Sequence, residues 1–261
     1  MLNQPIILKE DVLLEWIGPP LHEGPLPALI YLAISAKDSL TLDPFNQPVE
    51  FLKAHYAMRV FSLTLPAHEP PLEPQHALKE WADAFVKGHD LLSPFIDQLV
   101  EAGKFLVQKE IASSLGVAGL SRGGFLALHA AAKSSLFSSV LGFAPVTKLE
   151  NSKDFRAIPT LPILHGLRLE LYYSMLIERK IRLYIGSRDE RVSTASCFDF
   201  IEKLADKAHQ MHKRASPHAE LIISPSIGYL GHGTPLHIFQ DGARWMAQTL
   251  GASPKGKSID L

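Results

Sequence analysis

Three side chains far apart in the chain carry complementary acid–base chemistry: the hydroxyl of Ser121, the carboxylate of Asp189 and the imidazole of His232. A serine hydroxyl is a poor nucleophile at neutral pH. It becomes a competent one when an imidazole takes its proton and a carboxylate holds that imidazole in the right tautomer. The chemistry open to such a set is acyl transfer, in which the serine oxygen attacks a carbonyl and backbone N–H groups receive the charge that develops on its oxygen.

Each of the three sits where a strand ends. Gly119-Leu120-Ser121-Arg122-Gly123 follows the apolar run Leu115 to Gly119 and precedes the alanine-rich helical stretch Gly123 to Ser134. A serine in that setting lies on a tight strand-to-helix turn, and Gly119, Gly123 and Gly124 are the residues that admit the close backbone approach. The plainer alternative for Ser121 is a helix-capping serine. Asp189 follows the apolar run Ile181 to Ile185, with Val192 placed to anchor the returning chain; Glu190 is its local competitor. The plainer alternative for Asp189 is a turn bond to its own backbone. His232 lies between Gly231 and Gly233, after the run Ala219 to Ile223 and before the helical stretch Ile238 to Leu250. His237 is its nearest rival among 12 histidines, but it stands at the approach to a helix. The order nucleophile, acid, base along the chain is one of the known orders for such a set.

The elements that must position these residues alternate. A strand or hairpin is expected within Ile6 to Trp16, and the continuous apolar run Ala28 to Ile34 suits a strand buried on both faces. Gln47 to His55 reads as a helix and Met58 to Leu65 as a strand. His76 to Lys87 and Pro94 to Ile111 place apolar residues three or four apart, as helices packing on a sheet require. Val140 to Ala144 reads as a strand, Arg168 to Glu178 and Ser196 to Met211 as helices, and Leu164-His165-Gly166 as loop. Strands alternating with helices predict an α/β fold with a mostly parallel sheet, helices on both faces, and a ligand site beyond the carboxyl ends of the strands. One domain over residues 1–251 is expected, with 252–261 a poorly packed tail.

Composition narrows the partners. The 261 residues are 46% hydrophobic and 20% charged, enough apolar material for a large core. A net charge of −1 supplies no basic footprint for nucleic acid or an anionic membrane. No run of 18 uncharged apolar residues appears, and Met1 to Pro20 does not read as a signal peptide. The single cysteine, Cys197, rules out a disulfide framework within the chain and suits a reducing compartment, so a cytoplasmic location is expected. His209, His212 and His218, and the pair His232 and His237, lack accompanying acids or cysteines at zinc spacing, so no metal is expected.

The pattern resembles the α/β-hydrolase superfamily from about Pro27 to Leu250. Gly119 to Gly124 and Ala144-Pro145-Val146-Thr147 are similar to the dienelactone-hydrolase and prolyl-oligopeptidase-like branches. The resemblance implies a cofactor-free serine hydrolase in which the backbone N–H of Arg122 and that of Ile34 or Ser35 form the oxyanion hole. Ala33-Ile34-Ser35-Ala36 departs here from the His-Gly that many esterases carry. The short interval Lys148 to Lys180 implies a small cap or none, with Phe143, Tyr172, Tyr173, Met175 and Tyr229 as candidate pocket walls. A small ester or acyl compound is the expected substrate. The alternatives are a prolyl-oligopeptidase-like peptidase, against which the absence of a propeller segment in this sequence counts, and a non-catalytic binding protein, which the irregular oxyanion loop favours.

Overall fold

The computed structural model describes residues 2–8, 12–69, 72–211 and 215–256. Eight strands form one sheet: β1 (Ile6–Ile7), β2 (Leu13–Ile17), β3 (Leu26–Leu32), β4 (Arg59–Ser62), β5 (Ala112–Leu120), β6 (Ser139–Phe143), β7 (Lys180–Gly186) and β8 (Ala219–Ser224). The order across the sheet is β1-β2-β4-β3-β5-β6-β7-β8. β1 pairs antiparallel with β2, and β2 with β4; every later pairing is parallel. β5 lies between β3 and β6 near the middle of the sheet, so the residue that follows it emerges at the centre of one rim.

The helices are α1 (Ala36–Thr41), α2 (Gln47–His55), α3 (Ala77–Val86), α4 (Leu92–Gln108), α5 (Arg122–Lys133), α6 (Pro162–Gly166), α7 (Tyr173–Leu176), α8 (Thr194–Gln210) and α9 (Leu236–Thr249). They divide between the two faces of the sheet because successive strand residues point to opposite sides. On β3, Ala28, Ile30 and Leu32 enter one core with α3, α4, α5 and α8. Leu29 and Tyr31 enter the other, with α1, α2 and α9. Most of α5 is buried, including Phe125 to Ala132, which explains its near-continuous run of apolar and small residues. No helix among the described residues is long and apolar enough to cross a membrane.

The expected strands and long helices appear within a few residues of their predicted bounds. Three expectations need correction. Arg168 to Glu178 is not one helix but a 3-10 turn, Leu169–Tyr172, followed by the single turn of α7. Its side chains are held individually instead: Leu169 and Leu176 are buried, and Tyr172 donates its hydroxyl to the Gly166 carbonyl at 2.8 Å. Leu164-His165-Gly166 is helical rather than loop, because Pro162 preorganises the first turn of α6. Of the expected tail 252–261, residues 252–256 are held against the rest of the chain and 257–261 lie outside the described residues. Ala252 is buried, Ala57 N–H donates to the Ser253 carbonyl at 2.9 Å, and Lys255 N–H donates to the His55 carbonyl at 2.8 Å.

Candidate active site

Ser121 stands between the end of β5 and the first residue of α5 with φ 53° and ψ −115°, a conformation that costs a side-chain-bearing residue energy. The surroundings over-determine it. Ser121 N–H donates to the Phe143 carbonyl at 2.8 Å, and its own carbonyl accepts from Gly124 N–H and Val146 N–H, each at 3.0 Å. A Cβ at Gly119 would lie 2.1 Å from the Gly123 carbonyl carbon, and one at Gly123 would lie 2.0 Å from the Leu32 carbonyl oxygen. Only glycine at both positions lets α5 fold back this closely against β5 and β3.

Asp189 is buried in the turn after β7. Its Oδ1 accepts from the N–H groups of Arg191 at 2.9 Å and Val192 at 3.0 Å. Thr194 Oγ1 accepts from Asp189 N–H and donates to the Gly186 carbonyl, closing the loop. The ordinary turn bonds and the bond to His232 therefore coexist, one kind on each carboxylate oxygen. Oδ2 remains for His232, whose Nδ1–H donates to it at 2.7 Å. Because a carboxylate only accepts, this bond leaves Nε2 as the basic nitrogen. Ser121 Oγ–H donates to that Nε2 at 2.9 Å. Glu190 instead pairs with Arg188 at 2.9 Å on the surface, and His237 is exposed in the first turn of α9.

The loop that carries His232 is tied down through its backbone. His232 N–H donates to the Tyr229 carbonyl, Gly233 N–H to the Ile227 carbonyl, and Glu190 N–H to the Leu230 carbonyl, joining the acid loop to the base loop. A Cβ at Gly231, where φ is +73°, would sit 2.0 Å from the Arg188 carbonyl oxygen.

The segment after β3 reaches a defined shape without the His-Gly of many esterases. Ser39 Oγ accepts from the N–H groups of Ala33 at 3.2 Å and Ile34 at 3.0 Å. Thr64 Oγ1 accepts from Ala36 N–H, and the Ile34 carbonyl accepts from Leu65 N–H. Of the two expected second donors, the N–H of Ile34 is thus already engaged. The N–H of Ser35 finds no partner among the described residues, while its side chain caps α1 by accepting from Asp38 N–H at 3.1 Å. The Arg122 N–H opens α5, at the positive end of the helix.

No family model matches the chain, and no curated protein matches it. Solved structures do. A puromycin-hydrolysing peptidase of Mycobacterium tuberculosis superposes with a TM-score of 0.69 at 18% identity, over 97% of this chain and 40% of that one. Prolyl oligopeptidase B of Galerina marginata gives 0.66 at 19% identity, over 98% and 38%. Est1E of Butyrivibrio proteoclasticus gives 0.63 at 12% identity, over 95% and 99%. The Pyrococcus furiosus esterase Pf2001 gives 0.61 at 17% identity, over 95% and 89%. This chain has the α/β-hydrolase fold. It spans about two fifths of the length of the two peptidases.

At the rim of this fold a pocket of about 250 Å³ opens at Ser121 and His232. Ile34, Pro44, Phe45, Leu120 and Phe239 supply its apolar walls, with Arg122, Arg191 and Thr234 as polar lining. The walls expected from sequence do not include these. Phe143 is core, stacked on Tyr184 and edge-on to Phe239. Tyr172 packs on His129 and Tyr173 on Phe200, while Met175 is exposed and Tyr229 points to solvent at 77% exposure. The aromatic content of residues 148–180 was a misleading signal, because that segment packs on the α5 side of the molecule instead of over the pocket. Pro44 and Phe45 come from the link between α1 and α2, whose approach to Ser121 no local pattern announces.

Cys197 is buried and its thiol is pushed up to about 12 by burial, so it stays protonated. Among the described residues no three His, Cys, Asp or Glu side chains gather as a metal site. His212 lies outside the described residues.

Proposed function

We propose that this chain is a serine hydrolase that cleaves carboxylic esters through an acyl-enzyme. The observation that carries the reading is the unbroken series Asp189–His232–Ser121, with bonds of 2.7 and 2.9 Å. His232 Nε2 takes the Ser121 proton as Oγ attacks the ester carbonyl. Asp189 holds the ring by Nδ1–H and stabilises its charged form. The N–H groups of Arg122 and Ser35 receive the tetrahedral oxyanion. His232 then returns the proton to the departing alcohol, activates water by the same nitrogen, and the acid leaves.

The fold of the esterase Pf2001 supports an ester substrate, and the fold of the matched peptidases supports a peptide one. The small pocket, of about 250 Å³, favours the ester, since it admits a small acyl group more readily than an extended chain. Labelling with a fluorophosphonate tests the nucleophile: wild type is labelled and Ser121→Ala is not. Folded protein that resists the label is a non-catalytic member of this fold. A panel of 4-nitrophenyl esters and aminoacyl anilides then separates esterase from peptidase.

A further inference from the structure

The pocket beside Ser121 carries two cations and no acid. Arg122 and Arg191 both line it, and no Asp or Glu among the described residues does. Neither guanidinium has a carboxylate partner among the described residues. By contrast Arg168, Arg182, Arg188 and Arg244 each pair with one, to Glu150, Glu220, Glu190 and Asp241. Two other surface pockets are acidic as well as basic, holding Glu69, Glu80 and Asp83 in one and Asp97 and Glu101 in the other.

Arg122 is the costlier of the two. Its Nε is shielded from solvent and has no hydrogen-bond partner, a state that destabilises a folded protein unless something compensates. Burial, and next the nearby charge of Arg191, pull its pKa down to about 10. The buried ring of His68 feels the same field: its Nε2 is also unpartnered, and burial followed by the Arg122 charge brings its pKa down to about 4. Two like charges at the mouth of one small pocket are an arrangement that a bound anion relieves.

Both arginines are fixed to the reacting groups by the chain itself. Arg122 follows the nucleophile directly. Arg191 is two residues past Asp189, and its backbone N–H is held by that carboxylate at 2.9 Å. Resting on the reading of Ser121 as nucleophile, we propose that the substrate is an ester bearing a carboxylate a few bonds from the scissile carbonyl, bound by the side chains of Arg122 and Arg191. A guanidinium presents a planar fork that matches a carboxylate. The Arg122 N–H, at the start of α5, is assigned to the oxyanion, so the two guanidinium side chains supply the ligands of the carboxylate.

The test uses the full chain and two matched ester pairs. One pair, 4-nitrophenyl hemisuccinate and 4-nitrophenyl butyrate, puts the charge on the acyl side. The other, 3-acetoxybenzoate and phenyl acetate, puts it on the alcohol side. In at least one pair kcat/KM for the anionic member exceeds that for the neutral one by about tenfold or more. That ratio falls by about tenfold in Arg122→Gln and in Arg191→Gln, and Arg191→Lys keeps more of it than Arg191→Gln. A ratio near one in both pairs, or a ratio that survives Arg191→Gln, overturns the proposal and leaves hydrolysis standing. Should Arg122→Gln fail to fold, the exposed Arg191 decides alone. If no ester is cleaved, the hydrolase reading fails separately, and binding of succinate still tests the subsite: it raises Tm in wild type and not in Arg191→Gln. No shift with succinate, or a larger shift with inorganic phosphate, overturns the carboxylate assignment.

Discussion

Two arginines mark the two ends of the parallel sheet, and their partners differ completely. Arg59, at the amino end of β4, is fully buried and donates to four carbonyls: Pro19 through Nε at 2.9 Å, Gly24 and Ile111 through Nη1 at 2.8 Å each, and Pro20 through Nη2 at 2.5 Å. It ties together the segments that lead into β3 and β5. Arg122, past the carboxyl end of β5, has a shielded Nε with no partner and a second cation for a neighbour. The amino end of the sheet is satisfied and serves stability. The carboxyl end holds unspent interactions: a strained serine, an unpartnered guanidinium, and N–H groups aimed at no protein acceptor. A site that binds a developing anion has to keep such groups open, at some cost in stability.

The largest expected effect tests whether the carboxyl end is catalytic at all. Ser121→Ala lowers 4-nitrophenyl ester hydrolysis by about 10⁴-fold or more while leaving the unfolding midpoint within a few degrees. Steady-state kinetics beside thermal unfolding read both. Arg59→Met does the reverse. It takes a donor from four carbonyls, of which those of Pro20 and Ile111 keep a backbone N–H, and costs about 3–5 kcal/mol in urea unfolding, while the protein that remains folded keeps its kcat. Loss of kcat without loss of stability would dissolve the division between the two ends.

The histidines give a pH form of the same contrast. His129 is buried with Nε2–H donating to the Leu167 carbonyl at 3.0 Å, and burial holds its pKa down to about 4. The folded state refuses a proton that the unfolded chain accepts below about 6.5, so stability is full above that pH and falls as pH drops toward 4. The loss near pH 4.5 is about 2–3 kcal/mol for this one group. Urea unfolding of His129→Gln between pH 4.5 and 6.5 shows a correspondingly shallower slope. An unchanged slope means the proton is taken up elsewhere.

Ser39→Ala releases the Ala33 and Ile34 N–H groups and costs about 1–2 kcal/mol of stability, with a fall in kcat of about tenfold if the loop orients the second oxyanion donor. The smallest effect is on stability in Arg122→Met. Removing an unpartnered buried cation changes the unfolding free energy by about 1 kcal/mol or less, against the several lost at Arg59. A loss as large as that of Arg59→Met would make the two arginines equivalent.

The serine turn was fully legible in sequence because its constraints are local. Gly119 lets the backbone at Gly123 and Gly124 close in, Gly123 admits the Leu32 carbonyl of β3, and Gly124 admits Pro145 after β6, contacts that a Cβ would block. Asp189 and His232 were legible for a related reason: each follows an apolar run that reads as a strand, β7 within the sheet and β8 at its edge. The region between β6 and β7 was misread because an amphipathic spacing from Arg168 to Glu178 suits one helix as well as a string of short turns, and burial of individual side chains chose the turns. The pocket walls were not legible at all.

What the sequence determined by itself was the order of strands and helices and the three candidate residues in the turns that follow strands, since periodicity and glycine spacing act over short stretches of chain. Only the tertiary structure decided that Ser39 would engage the Ile34 N–H, that Pro44 and Phe45 would line a pocket with Ser121, and that Arg122 and Arg191 would share that pocket with no acid among the described residues. Those outcomes depend on which segments meet across the rim of the sheet. Hydrogen bonding and charge act through space over a few ångströms, and nothing in the local spacing of residues encodes which distant neighbours will fall within that reach.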